Sequence, residues 1–184
     1  RLPATELPVL VLTEGLSTFL PEAAKPGNGT VIRRTQQQLE SEVLPEFIGA
    51  RGWFQRPRGD IASARLGPRI LWRHEQRAYL LSFVDVDGGG SKARYFLPLT
   101  IGWEDAVDSV LRTAEWTLAK VREHARAGVL IDAFADPIFC LALIQSMAQQ
   151  ASLPLAGGSL RFQTSEPLPP LPAADLQKVR HVGA

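Results

Sequence analysis

The sequence predicts an α+β fold: an antiparallel meander sheet of about four strands with a flanking helix, followed by a helical subdomain with short strands. Three observations carry that expectation. Residues 60–101 alternate apolar and polar side chains with a period of two, and a glycine triplet interrupts them. Residues 30–48 and 105–128 instead space their apolar residues three and four apart, as a helix with one buried face does. The chain of 184 residues is 45% hydrophobic and 21% charged, long enough to bury a core and too apolar for wholesale disorder.

Taken in order, residues 1–30 read as a lead-in. Leu7-Pro8-Val9-Leu10-Val11-Leu12 has strand length, residues 13–20 fit one or two helical turns, and residues 21–29 form a break rich in proline and glycine. Thr30 is the expected N-cap of the next helix. That helix carries Ile32, Leu39, Val43 and Leu44 on its apolar stripe and Val31, Arg34, Gln38, Glu42 and Glu46 on the polar side. Pro45 has no amide hydrogen and its ring collides with the preceding turn, so the helix should kink or break there and resume through Phe47-Ile48.

Four strand candidates follow: residues 61–66, closed by Gly67-Pro68; residues 69–74; residues 78–86, the most apolar; and residues 93–99, where Pro98 marks an edge or a strand end. Asp87-Gly88-Gly89-Gly90-Ser91 joins the last two as a hairpin loop, because glycine supplies the positive φ of a tight reversal. Asp105 then caps a helix bearing Val107, Val110, Leu111, Ala114, Leu118 and Val121, ending near Gly128. Val129-Leu130-Ile131 is a short strand. Asp136-Pro137, an N-cap followed by proline, opens a helix to about Gln150 that is apolar on most sides and buries Cys140 as an unreactive thiol. Leu160-Arg161-Phe162-Gln163 is a last strand, residues 167–172 a proline-rich connector, and residues 179–184 the start of a further element.

Charge and composition exclude several functions. Lysine and arginine number 20 against 19 acids, so the global basicity of a nucleic-acid domain is missing. No run of 18 apolar residues exists to span a membrane, and no signal-peptide core follows Arg1, so a cytoplasmic location is expected. Arg1 at the first position is expected to make the chain a piece of a longer protein. A single cysteine excludes an internal disulfide and a cysteine-rich zinc site.

Catalytic signatures fail one by one. Gly27-Asn28-Gly29 lacks the third glycine of a dinucleotide fingerprint, having Ile32 there. Gly88-Gly89-Gly90-Ser91-Lys92 has the composition of a phosphate cradle without its order. Asp85 and Asp87 resemble the start of a calcium loop that lacks its closing acid and read as solvated hairpin acids. His74, His124 and His181 stand apart from one another, with His124 expected on a charged helix face. Gly158-Ser159-Leu160 is not a nucleophile elbow. Asn28-Gly29-Thr30 is formally a glycosylation acceptor but reads as a turn. Residues 51–58 are basic around Trp53 and Phe54; they could meet an anion, or tuck the aromatic pair against a sheet with the arginines reaching outward. No catalytic, cofactor-binding or metal-binding residue is assigned.

The order of several segments is more specific. Leu39-Glu40-Ser41-Glu42-Val43-Leu44-Pro45-Glu46-Phe47-Ile48 leads into Ala50-Arg51-Gly52-Trp53-Phe54, and Tyr95-Phe96-Leu97-Pro98-Leu99 follows. Then come Asp132-Ala133-Phe134-Ala135-Asp136-Pro137-Ile138-Phe139, Gly158-Ser159-Leu160-Arg161-Phe162 and Val179-Arg180-His181-Val182-Gly183-Ala184. This succession resembles the N-terminal part of bacterial maltokinases, in the form fused behind a trehalose synthase (maltose α-D-glucosyltransferase), over about residues 31–184. The resemblance implies a lead-in at residues 1–30, a cap-like subdomain at 31–101, and the start of an intermediate subdomain at 102–184, cut before the nucleotide-binding loop. It further implies a parent enzyme that uses ATP and Mg²⁺ to make maltose 1-phosphate for α-glucan synthesis, while the fused synthase interconverts trehalose and maltose. The partners it implies are the C-terminal kinase lobe and the synthase domain of the same chain. Where the family has arginine before the tryptophan-phenylalanine pair and lysine-glycine after it, this chain has Gly52 and Gln55-Arg56-Pro57-Arg58-Gly59. The resemblance therefore carries no anion-binding role to that loop.

Two functions stand against each other. One is a non-catalytic cap that packs on a catalytic lobe, with its own cofactor set empty. The other is a stand-alone module binding a small molecule or glucan; Trp53, Trp72, Trp103 and Trp116 exposed on one surface would favour its stacking on sugar.

Overall fold

A computed structural model describes residues 7–54, 60–104, 114–155 and 157–168 and shows a mixed α+β chain in which strands dominate. It divides into two compact units, Arg1–Asp132 and Ala133–Ala184. In the first, the described strands are β1 (Val9–Val11), β2 (Ile61–His74), β3 (Arg77–Gly88), β4 (Ser91–Phe96), β5 (Leu99–Trp103), β6 (Thr117–Glu123) and β7 (Arg126–Asp132). They form one sheet in the order β1-β6-β7-β5-β3-β2, with β4 also paired to β3. β1 runs parallel to β6, and every other described pairing in this sheet is antiparallel.

The segment expected as a lead-in thus supplies an edge of the sheet. Leu10 pairs with Val121, and Leu10, Leu12, Leu16 and Phe19 are all buried in the main core. Residues 17–19 make the expected helical turn, of the tighter 3₁₀ kind.

The strand candidates at residues 61–66 and 69–74 are one strand. β2 passes through Gly67-Pro68 on a bulge, with Leu66 opposite Val84 and Arg69 opposite Ser82. Proline is tolerated there because β2 is an edge strand with no outer neighbour awaiting its amide. The glycine hairpin forms as expected: Gly89 and Gly90 have φ of 56° and 78° between the paired Gly88 and Ser91. The fourth candidate splits at Leu97-Pro98, so β3 meets β4 along Phe83–Gly88 and β5 at Leu80↔Leu99. Ser82 bridges the split, its hydroxyl donating to the Leu97 carbonyl and its own carbonyl accepting from the Leu97 amide. The simple four-strand meander is therefore corrected to part of a larger sheet.

A second correction falls on the helix expected at residues 105–128. Residues 105–113 lie outside the described set, but residues 117–132 are the β6–β7 hairpin. Ala119 and Val121 face the core while Lys120 and Arg122 are exposed, a two-residue alternation that the helix-forming composition of Leu, Ala, Lys, Arg and Glu conceals. The boundary expected after Ile101 falls inside β5, and the sheet continues beyond it.

One helical rod crosses the sheet: α1 (Gly29–Gln38), a π-helical turn (Leu39–Val43) and α2 (Leu44–Gly49). The helix does not break at Pro45. An α-helical backbone would aim the Ser41 carbonyl at the missing amide hydrogen of residue 45; the wider π turn takes up the misfit, and Leu44 bonds back to Leu39 instead. Asn28, not Thr30, occupies the N-cap, and its side chain makes no capping bond to the helix. Ile32, Leu39, Val43, Leu44, Phe47 and Ile48 are buried, as the stripe required.

The rod also reaches both ends of the strand order. Thr35 Oγ1 donates to the Val11 carbonyl of β1 at 2.7 Å, and Glu40 Oε1 accepts from the Leu66 amide of β2 at 2.9 Å. These are edge groups without a strand to meet them, so one helix satisfies backbone polarity at both sheet edges.

The second unit contains a 3₁₀ turn (Ala133–Ala135), α3 (Pro137–Ala148) and a hairpin of β8 (Ser152–Leu155) with β9 (Gly158–Arg161). Asp136 caps α3 by accepting from the Ile138 amide at 3.0 Å, with Pro137 in the first turn, as expected. Beyond α3 the described part of this unit is a hairpin, so among the described residues the helical subdomain is corrected to one α-helix with a two-stranded sheet. Residues 169–184, with most of the expected connector and the last element, lie outside the described set.

Candidate functional site

The loop after α2 was the strongest sequence candidate for an anion site. Residues 55–59 lie outside the described set, and the remainder turns inward. Arg51 lays its guanidinium 3.9 Å from the Phe47 ring centroid. Burial pushes its pKa down, while the Asp132 and Glu115 carboxylates push it back up. Burial outweighs the acids, and the Arg51 guanidinium packs over Phe47 instead of reaching outward. The aromatic pair divides: Phe54 is buried in the core, Trp53 is 46% exposed, and both contact Tyr95 of β4, at 6.0 and 5.1 Å between ring centroids.

The glycine-rich hairpin is a two-residue reversal, not a cradle. Its acids, expected to be merely solvated, pair across the strands. Asp85 receives two bonds from Arg94, Nε to Oδ1 at 2.6 Å and Nη2 to Oδ2 at 3.0 Å, and Lys92 lies 3.7 Å from Asp87. The Arg94 hydrogen bond holds the Asp85 carboxyl below the usual carboxylate range. Once the turn is fixed at Gly89-Gly90, the register sets Asp85 opposite Arg94 and Asp87 opposite Lys92. The pairing was thus written in the spacing, and reading residues singly missed it. Both cations flanking the hairpin thus face acids across the strands.

The histidines stay apart. His74 stands beside Trp72, 5.7 Å between rings, and His124 sits in the β6–β7 turn with φ of 51°, not on a helix face; His181 lies outside the described set. Among the described residues no three potential metal ligands gather. Cys140 is half-buried, not buried, because α3 leaves that side of its apolar surface partly open; its Sγ lies 3.5 Å from the Phe134 carbonyl.

The tryptophans do not form one surface. Trp103 packs against the main core and carries Arg126 over its ring at 4.3 Å. Trp72, adjacent to Leu71 on β2, points to the opposite sheet face and pairs with Tyr79. Of the four, Trp53 is the exposed one. The convergence on one surface that would favour glucan stacking is therefore not found, since Trp72 and Trp103 lie on opposite faces of the sheet.

A cleft of about 400 Å³ opens at the hairpin end of the core-facing side of the sheet, walled by Glu14, Arg73, Thr100, Trp103, Glu123 and Arg126 among others. Arg73, Arg77 and Arg126 face Glu14 and Glu123 around it, and several of its groups serve the fold. Glu123 Oε1 accepts from the Gly15 amide at 2.5 Å, and Thr100 Oγ1 donates to the Ala78 carbonyl at 2.9 Å. Cross-strand packing, with Gly128 opposite Trp103, leaves no room for a side chain there: a Cβ on Gly128 would lie 2.7 Å from the Gly102 carbonyl oxygen. No helix among the described residues is long and apolar enough to cross a membrane. Compared with known proteins, the chain matches no family model, no curated protein and no solved structure.

Proposed function

We propose that this chain is a non-catalytic cap fragment of a trehalose synthase-fused maltokinase, a cytoplasmic enzyme that phosphorylates maltose with ATP and Mg²⁺. On this reading its work is to pack against the catalytic lobe, which holds the nucleotide, the metal and most of the sugar pocket. One observation supports it above the rest. Segments that carry the resemblance from distant parts of the sequence meet: Trp53 and Phe54, behind the Leu39–Ile48 run, pack on Tyr95 at the head of the Tyr95–Leu99 run. Segments kept together to build one aromatic cluster are expected to travel together in a family. The half-exposed Trp53 at its rim offers apolar surface to a neighbouring lobe.

Phosphoryl transfer needs a metal, an aligned acceptor and charge stabilisation held together. The test is a maltose phosphorylation assay with ATP and Mg²⁺ on this chain and on a chain extended through the downstream lobe. Product from the extended chain alone is the expected result. Maltose 1-phosphate from the 184 residues by themselves would end the cap reading, as would tight, salt-insensitive binding of ATP in calorimetry.

A further inference from the structure

The Asn28-Gly29 pair, a turn by sequence, has chemistry of its own. Glycine has no Cβ to shield its amide nitrogen, so that nitrogen can attack the preceding asparagine side chain. In that reaction the Gly29 nitrogen bonds to Asn28 Cγ, the Cγ–Nδ2 bond breaks, and ammonia leaves, carrying away the equivalent of the Gly29 amide proton through solvent. Water then opens the cyclic imide at either carbonyl and leaves aspartate or isoaspartate at position 28. No oxidant, metal or enzyme is required.

We propose that Asn28-Gly29 is a latent self-modification site, held unreactive by the folded turn and released when residues 25–29 open. Three features restrain it. The Gly29 amide donates to the Lys25 carbonyl at 2.9 Å, so the attacking nitrogen is engaged. Asn28 Oδ1 accepts from the Lys25 amide at 2.9 Å, which turns the side chain back along the chain and away from Gly29. The third restraint is torsional. Ring closure requires Asn28 Cβ and the Gly29 nitrogen to eclipse about the Cα–C bond, and ψ of −10° holds them far from eclipse. The Ile32 amide, bonded to the Asn28 carbonyl at 3.1 Å, anchors that torsion in the first turn of α1. Opening the turn removes all three together, and an isoaspartate product, with an extra methylene in the backbone, cannot rebuild them.

The full chain is incubated in mildly alkaline buffer, folded and in guanidinium chloride, and the 25–34 region is followed by peptide mass spectrometry for amide-to-acid conversion and for isoaspartate. Conversion in the folded chain is expected to be slower by about tenfold or more, the protection that a closed local structure confers. Equal rates in the two conditions would overturn the proposal. Gly29→Ala provides the second arm. Its Cβ would meet the mobile end of Arg33 at 3.2 Å, and alanine favours helix over glycine, so the fold is retained. In denaturant this variant is expected to convert several-fold more slowly than the parent chain; an unchanged rate would show that the reacting bond lies elsewhere.

Discussion

Asp85 gives the sharpest prediction at the scale of single residues. Its folded pKa lies below the unfolded carboxylate value of about 3.9, so its contribution to stability is complete above that pH and fades as pH falls through the folded value. Asp85→Asn is expected to lower the urea midpoint slightly near neutrality, as exposed pairs do, and the two proteins should converge below about pH 4 in acid titrations followed by circular dichroism. His124 makes the opposite case, for its φ of 51° is costly for a side chain with Cβ. His124→Gly is expected to raise stability by up to about 1 kcal/mol, read as a higher urea midpoint at constant slope. Neither effect was legible residue by residue. Asp85 needed its hairpin register before Arg94 became its partner, and no rule of composition marks His124 as the residue that turns β6 into β7.

Among the elements, the helical rod and its two edge bonds carry the most consequence. Glu40→Ala strips the Leu66 amide of its acceptor and Thr35→Ala leaves the Val11 carbonyl bare, each costing about 1–3 kcal/mol in chemical denaturation. Glu40→Gln keeps an acceptor oxygen and should stay close to the parent chain; a loss as large as that of Glu40→Ala would show that charge, not the hydrogen bond, matters. The two losses should add, since the bonds act at different strands. The sequence disclosed this rod's buried stripe and the glycine hairpin because both depend on local pattern. It concealed β6, whose Leu118 and Val121 satisfy helical spacing by coincidence, while the partners that make it a strand, β1 and β7, include one more than a hundred residues away. The bypass of Pro45 was likewise hidden: proline announces a lost hydrogen bond, and only the packed helix decides between a break and a π turn.

For the molecule as a whole, the decisive test concerns the first twenty residues. A true linker could be deleted without loss. Here the deletion would remove β1 and take Leu10, Leu12, Leu16 and Phe19 from the core, at about 1.5–3 kcal/mol each, comparable with the 5–15 kcal/mol margin of a typical domain. A chain beginning at residue 21 is expected to be unfolded or aggregated by circular dichroism and size-exclusion chromatography; a cooperative unfolding transition would refute the structural role of β1. In the other direction, the main core spans Leu10 to Leu130, so a chain ending at Asp132 should still unfold cooperatively in urea.

The pairing of β1 with β6 also sets a timetable for synthesis. Val9 finds Lys120 only after the ribosome has made the intervening chain, roughly 5–20 s later at 5–20 residues per second. During that interval Leu10 and Leu12 have no strand to join. This segment, made well before its partner, is thus among the last to settle, and a nascent chain stalled before residue 120 would present it to chaperones as a bare apolar handle.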